Sequence, residues 1–198
     1  VTAAHCVYGV TAPQQVFFGV NANRPNTGQV VDVDSYTIHP SFDYYSLDND
    51  IAVLELAEDA PVTPSPMLPS GVFDNSWVGQ PLRFVGYGST TYYGTGSGRK
   101  RAVDIDVDAV DATTFSFNDN THQTCYGDSG GGAFADHDGQ YQLIGVTSYG
   151  DYYCNTYGVD TRVDAYITWI EGFMGGGGNP GTGTELTPGV LDGGTLAL

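Results

Sequence analysis

The feature that most constrains this chain is a strict two-residue alternation of apolar, mostly β-branched side chains with acids. Val31 and Val33 alternate with Asp32 and Asp34, and Val103, Ile105 and Val107 alternate with Asp104, Asp106 and Asp108. A period of two places all the apolar groups on one face and all the acids on the other only if the backbone is extended. These segments are therefore half-buried strands with a wet outer face. Turn-forming clusters, Asn23 to Gly28 and Gly94 to Gly98, punctuate the sequence. Further strands are expected at Val16 to Val20, Ile51 to Leu56, Leu82 to Tyr87, Gly132 to Ala135 and Gln142 to Ser148. Many short strands separated by turns imply an all-β sandwich or barrel. One segment breaks the pattern: Tyr166, Trp169, Ile170, Phe173 and Met174 recur at helical spacing, with Asp164 placed to cap a first turn.

The acids that mark the strands also dominate the charge. Against 23 Asp and Glu stand only 6 Lys and Arg, a net charge of −17 over 198 residues. Such a surface repels phosphate backbones and anionic membranes, so neither nucleic acid nor a membrane is an expected partner. The acidity itself reads as a solubilising surface. No 18-residue apolar run is present and the first residues lack the pattern of a signal peptide, so any leader is expected outside the chain. Residues 175–184 have the Gly-rich composition of a flexible linker, leaving 1–174 as the globular part.

Three segments carry chemistry. Ser129 lies in Gly127-Asp128-Ser129-Gly130-Gly131, whose glycines permit a tight turn with the N–H groups of Gly127 and Ser129 converging on one point. By itself a serine between glycines is more often only a turn. His5 lies in Thr2-Ala3-Ala4-His5-Cys6, where an isolated histidine is usually a satisfied structural residue. Asp50 precedes Ile51-Ala52-Val53-Leu54, so its carboxylate enters a buried strand and needs a donor. An imidazole N–H would be that donor, leaving the other ring nitrogen to accept a proton from Ser129. One arrangement thus accounts for both the histidine and the acid.

In this order, the His5, Asp50 and Ser129 blocks resemble the three signature blocks of the trypsin/chymotrypsin family. Supporting matches are His39-Pro40, Gly86-Tyr87-Gly88, Thr147-Ser148-Tyr149-Gly150, Cys154 and Gly158-Val159, and the likeness runs from Val1 to about Met174. The resemblance implies two packed antiparallel six-stranded β-barrels followed by a C-terminal helix, with His5, Asp50 and Ser129 as catalytic triad in the cleft. It further implies an oxyanion hole from Gly127 and Ser129, a disulfide between Cys125 and Cys154, and a secreted, monomeric serine endopeptidase acting on polypeptides without cofactor or metal. Ser148, Tyr149 and Gly150 would offer a strand edge to the substrate. Gln123 matches the base of the specificity pocket, and Gly150 and Gly158 match wall positions where small residues leave it open. A neutral base is expected to favour large uncharged side chains over strict Arg/Lys preference. His39, His122 and His137 read as structural or surface residues, since no metal-ligand spacing surrounds them.

Members of that family begin well before the histidine block, and their new N-terminal ammonium pairs with the acid preceding the catalytic serine. The first barrel is accordingly expected to be incomplete, Asp128 and Cys6 to lack partners, and the chain by itself to be an inactive fragment. Residues 185–198 resemble the first strand of the pre-peptidase C-terminal domains of secreted bacterial proteases and read as the start of an accessory domain. An α/β-hydrolase would need its histidine last in order, and only His137 follows Ser129, eight residues on. A non-catalytic binding module on the protease fold is the remaining alternative, although no triad residue is replaced.

Overall fold

The computed structural model describes residues 1–12, 14–119 and 121–174. The expected linker and accessory segment lie outside the described residues. The strands are β1 (Gln15–Phe18), β2 (Gln29–Ile38), β3 (Ala52–Leu56), β4 (Pro81–Gly86), β5 (Arg101–Val110), β6 (Thr114–Phe117), β7 (Gly132–His137), β8 (Gln140–Gly150) and β9 (Gly158–Arg162). A short helix, α1 (Ile167–Glu171), follows. Strands β4-β5-β6-β9-β8-β7 close into a barrel, while β1-β2-β3 form a separate antiparallel sheet. This is the expected chymotrypsin-like fold, with its first half represented by the three-stranded sheet.

The alternation does its work as expected in β5, where Ile105 and Val107 are buried and Asp104, Asp106 and Asp108 face solvent. The barrel interior is filled by Leu82, Phe84, Ile105, Phe115, Phe117 and Ile144. A second core unites Ala3, Ala4 and Val7 with Ile51 of the loop before β3, Val146 of β8, and Val163, Tyr166 and Ile170 at the C-terminal end. Both α1 and one wall of the barrel thereby serve as floor for the segment that carries His5.

Asp164 departs from its expected role. No side chain caps α1. The Asp164 carboxylate accepts instead from Arg162 Nε at 2.9 Å and Nη2 at 2.8 Å, buried with only 2% exposure. A bidentate charged partner two residues away outcompetes the orphan amides of a five-residue helix.

Candidate active site

Asp50 is fully buried between the two halves of the molecule. Its Oδ1 accepts from the His5 backbone N–H at 2.8 Å, and its Oδ2 is 2.6 Å from His5 Nδ1 and 2.5 Å from the Ser148 hydroxyl. The donor that the carboxylate needs is thus supplied three times over. Its own carbonyl accepts from the Thr161 hydroxyl at 3.0 Å, tying it to β9. His5 lies in a 3₁₀ turn over Ala4–Cys6, and that turn is anchored because Thr2 and Ala52 exchange backbone hydrogen bonds of 2.9 and 2.8 Å. On the other side of Asp50, Asn49 Oδ1 accepts from the Tyr166 hydroxyl at 2.8 Å.

Ser129 is brought to the same place by its neighbours. Gly130 and Thr147 are joined by a 2.8 Å bond, as are Thr147 and Gly131, and Thr147 adjoins the Ser148 that holds Asp50. Gly130 has φ +78°, and a side chain there would run into the Thr2 hydroxyl and reach within 3.5 Å of Cys6 Sγ, so only glycine lets the turn dock on the histidine segment. Among the described residues the N–H groups of Gly127 and Ser129 meet no acceptor, and the Ser129 hydroxyl makes no hydrogen bond. His5 Nε2, the nitrogen left to take a proton, contacts the buried thiol of Cys6 at 3.6 Å. Burial works against a charged His5, but the hydrogen bond and charge of Asp50, assisted by Cys6, prevail and raise its pKa to about 10.

Asp128, expected to lack a partner, accepts from Gly88 N–H at 2.7 Å and Cys125 N–H at 2.9 Å. Burial raises its pKa, opposed by those two amides and by the charge of Arg101. Cys125 and Cys154 form a disulfide, Cα to Cα 5.2 Å, joining the loops on either side of a cavity of about 520 Å³. Gln123 lines that cavity, its Nε2 donating to Phe117 O at 3.4 Å while its buried Oε1 has no partner among the described residues. Gly150 and Gly158 face each other across β8 and β9, but the space beside them is already filled. A side chain at Gly158 would strike the Phe117 ring, and one at Gly150 would sit 2.7 Å from Tyr157 O. Their smallness serves packing between strands rather than an open wall. Tyr149 is exposed beside them at the end of β8.

The trypsin family model matches residues 1–170. The chain belongs to the trypsin family. Trypsin-family relatives include chicken (Gallus gallus) urokinase-type plasminogen activator, 30% identical over 88% of this chain and 48% of the relative. Trypsin from the beetle Phaedon cochleariae is 29% identical over 86% of the chain and 73% of its own length. Bovine (Bos taurus) chymotrypsin-like elastase family member 1 is 31% identical, again over 86% and 73%. The chain spans about half the length of the plasminogen activator it matches.

Three contacts of this trypsin-family site go beyond the sequence reading: Cys6 on His5, the Ser148 side chain on Asp50, and Thr161 on the Asp50 carbonyl. Cys6 is the chain neighbour of His5, while Ser148 and Thr161 reach Asp50 only through the assembly of β8 and β9 against the histidine segment.

Proposed function

We propose that the protein is a secreted serine endopeptidase in which Ser129 is the nucleophile, His5 the general base and Asp50 the group that orients it. The observation that carries the reading is the pairing of a fully buried Asp50 with His5 Nδ1 at 2.6 Å, in a trypsin-family chain whose serine turn docks on the same segment. Asp50 holds the ring with its Nδ1 proton inward, which leaves Nε2 as the base. Ser129 Oγ attacks the peptide carbonyl carbon as His5 Nε2, freed from the Cys6 thiol, takes its proton. The carbonyl oxygen then gathers negative charge, and the unengaged N–H groups of Gly127 and Ser129 are the donors for it. The proton passes to the leaving amine, and water cleaves the acyl-enzyme by the same route.

The substrate lies as an added strand along Ser148, Tyr149 and Gly150, whose other edge is taken by β9. The Cys125–Cys154 disulfide supports an oxidising, extracellular setting, and the chain is read as acting alone on polypeptides.

A fluorophosphonate probe with peptide mapping tests this reading. Label is expected on Ser129 and on no other residue, and Ser129→Ala is expected to lose both label and peptide cleavage, by at least about 10⁴-fold. Folded protein that neither labels nor cleaves would instead establish a non-catalytic binding module.

A further inference from the structure

The chain has 6 Lys and Arg against 23 Asp and Glu, and four of the six stand around one cavity. Arg24, Arg99, Lys100 and Arg101, together with Asn21 and Thr27, enclose about 430 Å³, and among the described residues no acid lines that space. The two remaining bases, Arg83 and Arg162, are paired with Asp104 and Asp164. Arg24, Arg99 and Arg101 are exposed, and among the described residues none of the three forms an ion pair. Like charges gathered in this way repel, so the patch needs a scaffold to hold it. That scaffold is a clasp between the two halves of the molecule. The segment leading into β5 runs antiparallel to the turn after β1, with Asn21 opposite Arg99. Lys100 N–H donates to Val20 O at 3.0 Å, Ala22 N–H to Gly98 O at 2.7 Å, and Asn23 Nδ2 to Ser97 O at 2.7 Å. One half contributes Arg24 and the other contributes the three consecutive bases, so the patch exists only when the halves are joined. Arg101 also lines the 520 Å³ cavity beside the Cys125–Cys154 disulfide, which makes it a wall common to both cavities.

We propose that this basic patch is a second substrate-binding surface, which takes an acidic stretch of the polypeptide being cut. The inference rests on the endopeptidase reading above. Charge complementarity selects the occupant. An Asp- and Glu-rich stretch is repelled by most of a surface whose net charge is −17 and is attracted here. The screening length at physiological salt is about 8 Å, so a segment in contact with the patch feels the bases beside it more than the acids spread elsewhere. The guanidinium forks of Arg24, Arg99 and Arg101 suit carboxylates bidentately, and Asn21 and Thr27 add neutral donors beside them. The common wall ties the occupant to the substrate itself. A chain that fills the cleft meets Arg101 and can continue into the patch, so its second contact is intramolecular and gains from a high effective concentration. A sulfated polysaccharide matches the charge, but nothing connects it to the cleft. Exposed pairs of this kind are individually weak, so the gain comes from several acting together and is sensitive to salt.

The test compares peptide substrates identical at the cut but carrying either an Asp/Glu tail or its Asn/Gln counterpart, at graded distances on either side of the cut. Fluorophosphonate labelling of Ser129 runs in parallel. At its best spacing the acidic tail is expected to lower KM about 10-fold with kcat unchanged, because it adds binding that is equal in the ground and transition states. That advantage is expected to vanish in about 1 M sodium chloride, where the screening length falls to about 3 Å, and in the double variant Arg24→Gln, Arg99→Gln. The neutral-tailed substrate is expected to be cleaved equally by parent and variant. A parent with no tail advantage at any spacing overturns the proposal whatever the variant does, as does an advantage that survives both salt and variant. If calorimetry shows that a sulfated oligosaccharide binds the parent and the acidic-tailed peptide does not, the patch serves a glycan and the proposal falls. The same titration on Ser129→Ala separates this inference from the reading beneath it. Tail binding there, with a parent that neither labels nor cleaves, sinks the endopeptidase and keeps the acidic-segment site; labelling of the parent without tail binding does the reverse.

Discussion

At His5 two effects oppose each other, and the outcome sets a pH dependence. Burial disfavours the imidazolium, but Asp50 and Cys6 outweigh it and carry the pKa to about 10. A general base must be neutral, so the labelling rate at Ser129 is expected to climb with pH toward about 10 instead of levelling near the ordinary histidine value. Cys6 adds to the upward shift, so Cys6→Ser is expected to move the midpoint of that climb to lower pH. A profile already flat at neutral pH and untouched by Cys6→Ser would contradict this account of the site. The same shift governs stability with a definite sign. A folded pKa above the unfolded one stabilises fully below the ordinary histidine value of 6.5, and that contribution is lost as pH rises to about 10. Asp50→Asn should flatten this alkaline loss and, by freeing the wrong ring tautomer, lower kcat about 10⁴-fold.

Among the elements, two ion pairs of the same chemistry are expected to behave differently. Arg83 and Asp104 join β4 to β5 on the surface, with side-chain exposures of 38% and 50%; solvent screening leaves such a pair about 0–1 kcal/mol. Arg162 and Asp164 leave β9 toward α1 with exposures of 11% and 2%, and Arg162 also donates to the carbonyls of Asp111 and Phe73 at 2.5 and 2.6 Å. Arg162→Gln strands a buried carboxylate and should cost about 3–5 kcal/mol, read as a lowered denaturant midpoint, with Asp164→Asn recovering much of it. Equal losses for the two arginines would refute the distinction. The contrast also shows where sequence reading stops. Strands that alternate acid with valine, as β2 and β5 do, declare their inward face, but β6 alternates over only four residues and β9, Gly158 to Arg162, carries Asp, Thr and Arg beside a single valine and announces no strand. The His5, Asp50 and Ser129 blocks are legible because each is a local motif. The bonds of Ser148 and Thr161 to Asp50 are not, since they depend on β8 and β9 being brought beside it.

For the whole molecule, a net charge of −17 is self-repulsive. Shortening the screening length from about 30 Å to about 3 Å, by raising salt from 0.01 to 1 M, should relieve that repulsion and raise Tm. Cleavage of cationic peptides should slow over the same range, because the field that draws them in is screened. A Tm that falls with sodium chloride would mean that attractive pairs, not repulsion, dominate the surface. The core beneath His5 has a different consequence, one of timing. It joins Ala3, Ala4 and Val7 to Val163, Tyr166 and Ile170, so its two parts are synthesised roughly 160 residues apart. At about 5–20 residues per second the ribosome delivers the later part roughly 10–30 s after the earlier one. Until then the nascent chain holds His5 and Asp50 with no floor beneath them, and is expected to be digestible itself and unable to digest its neighbours.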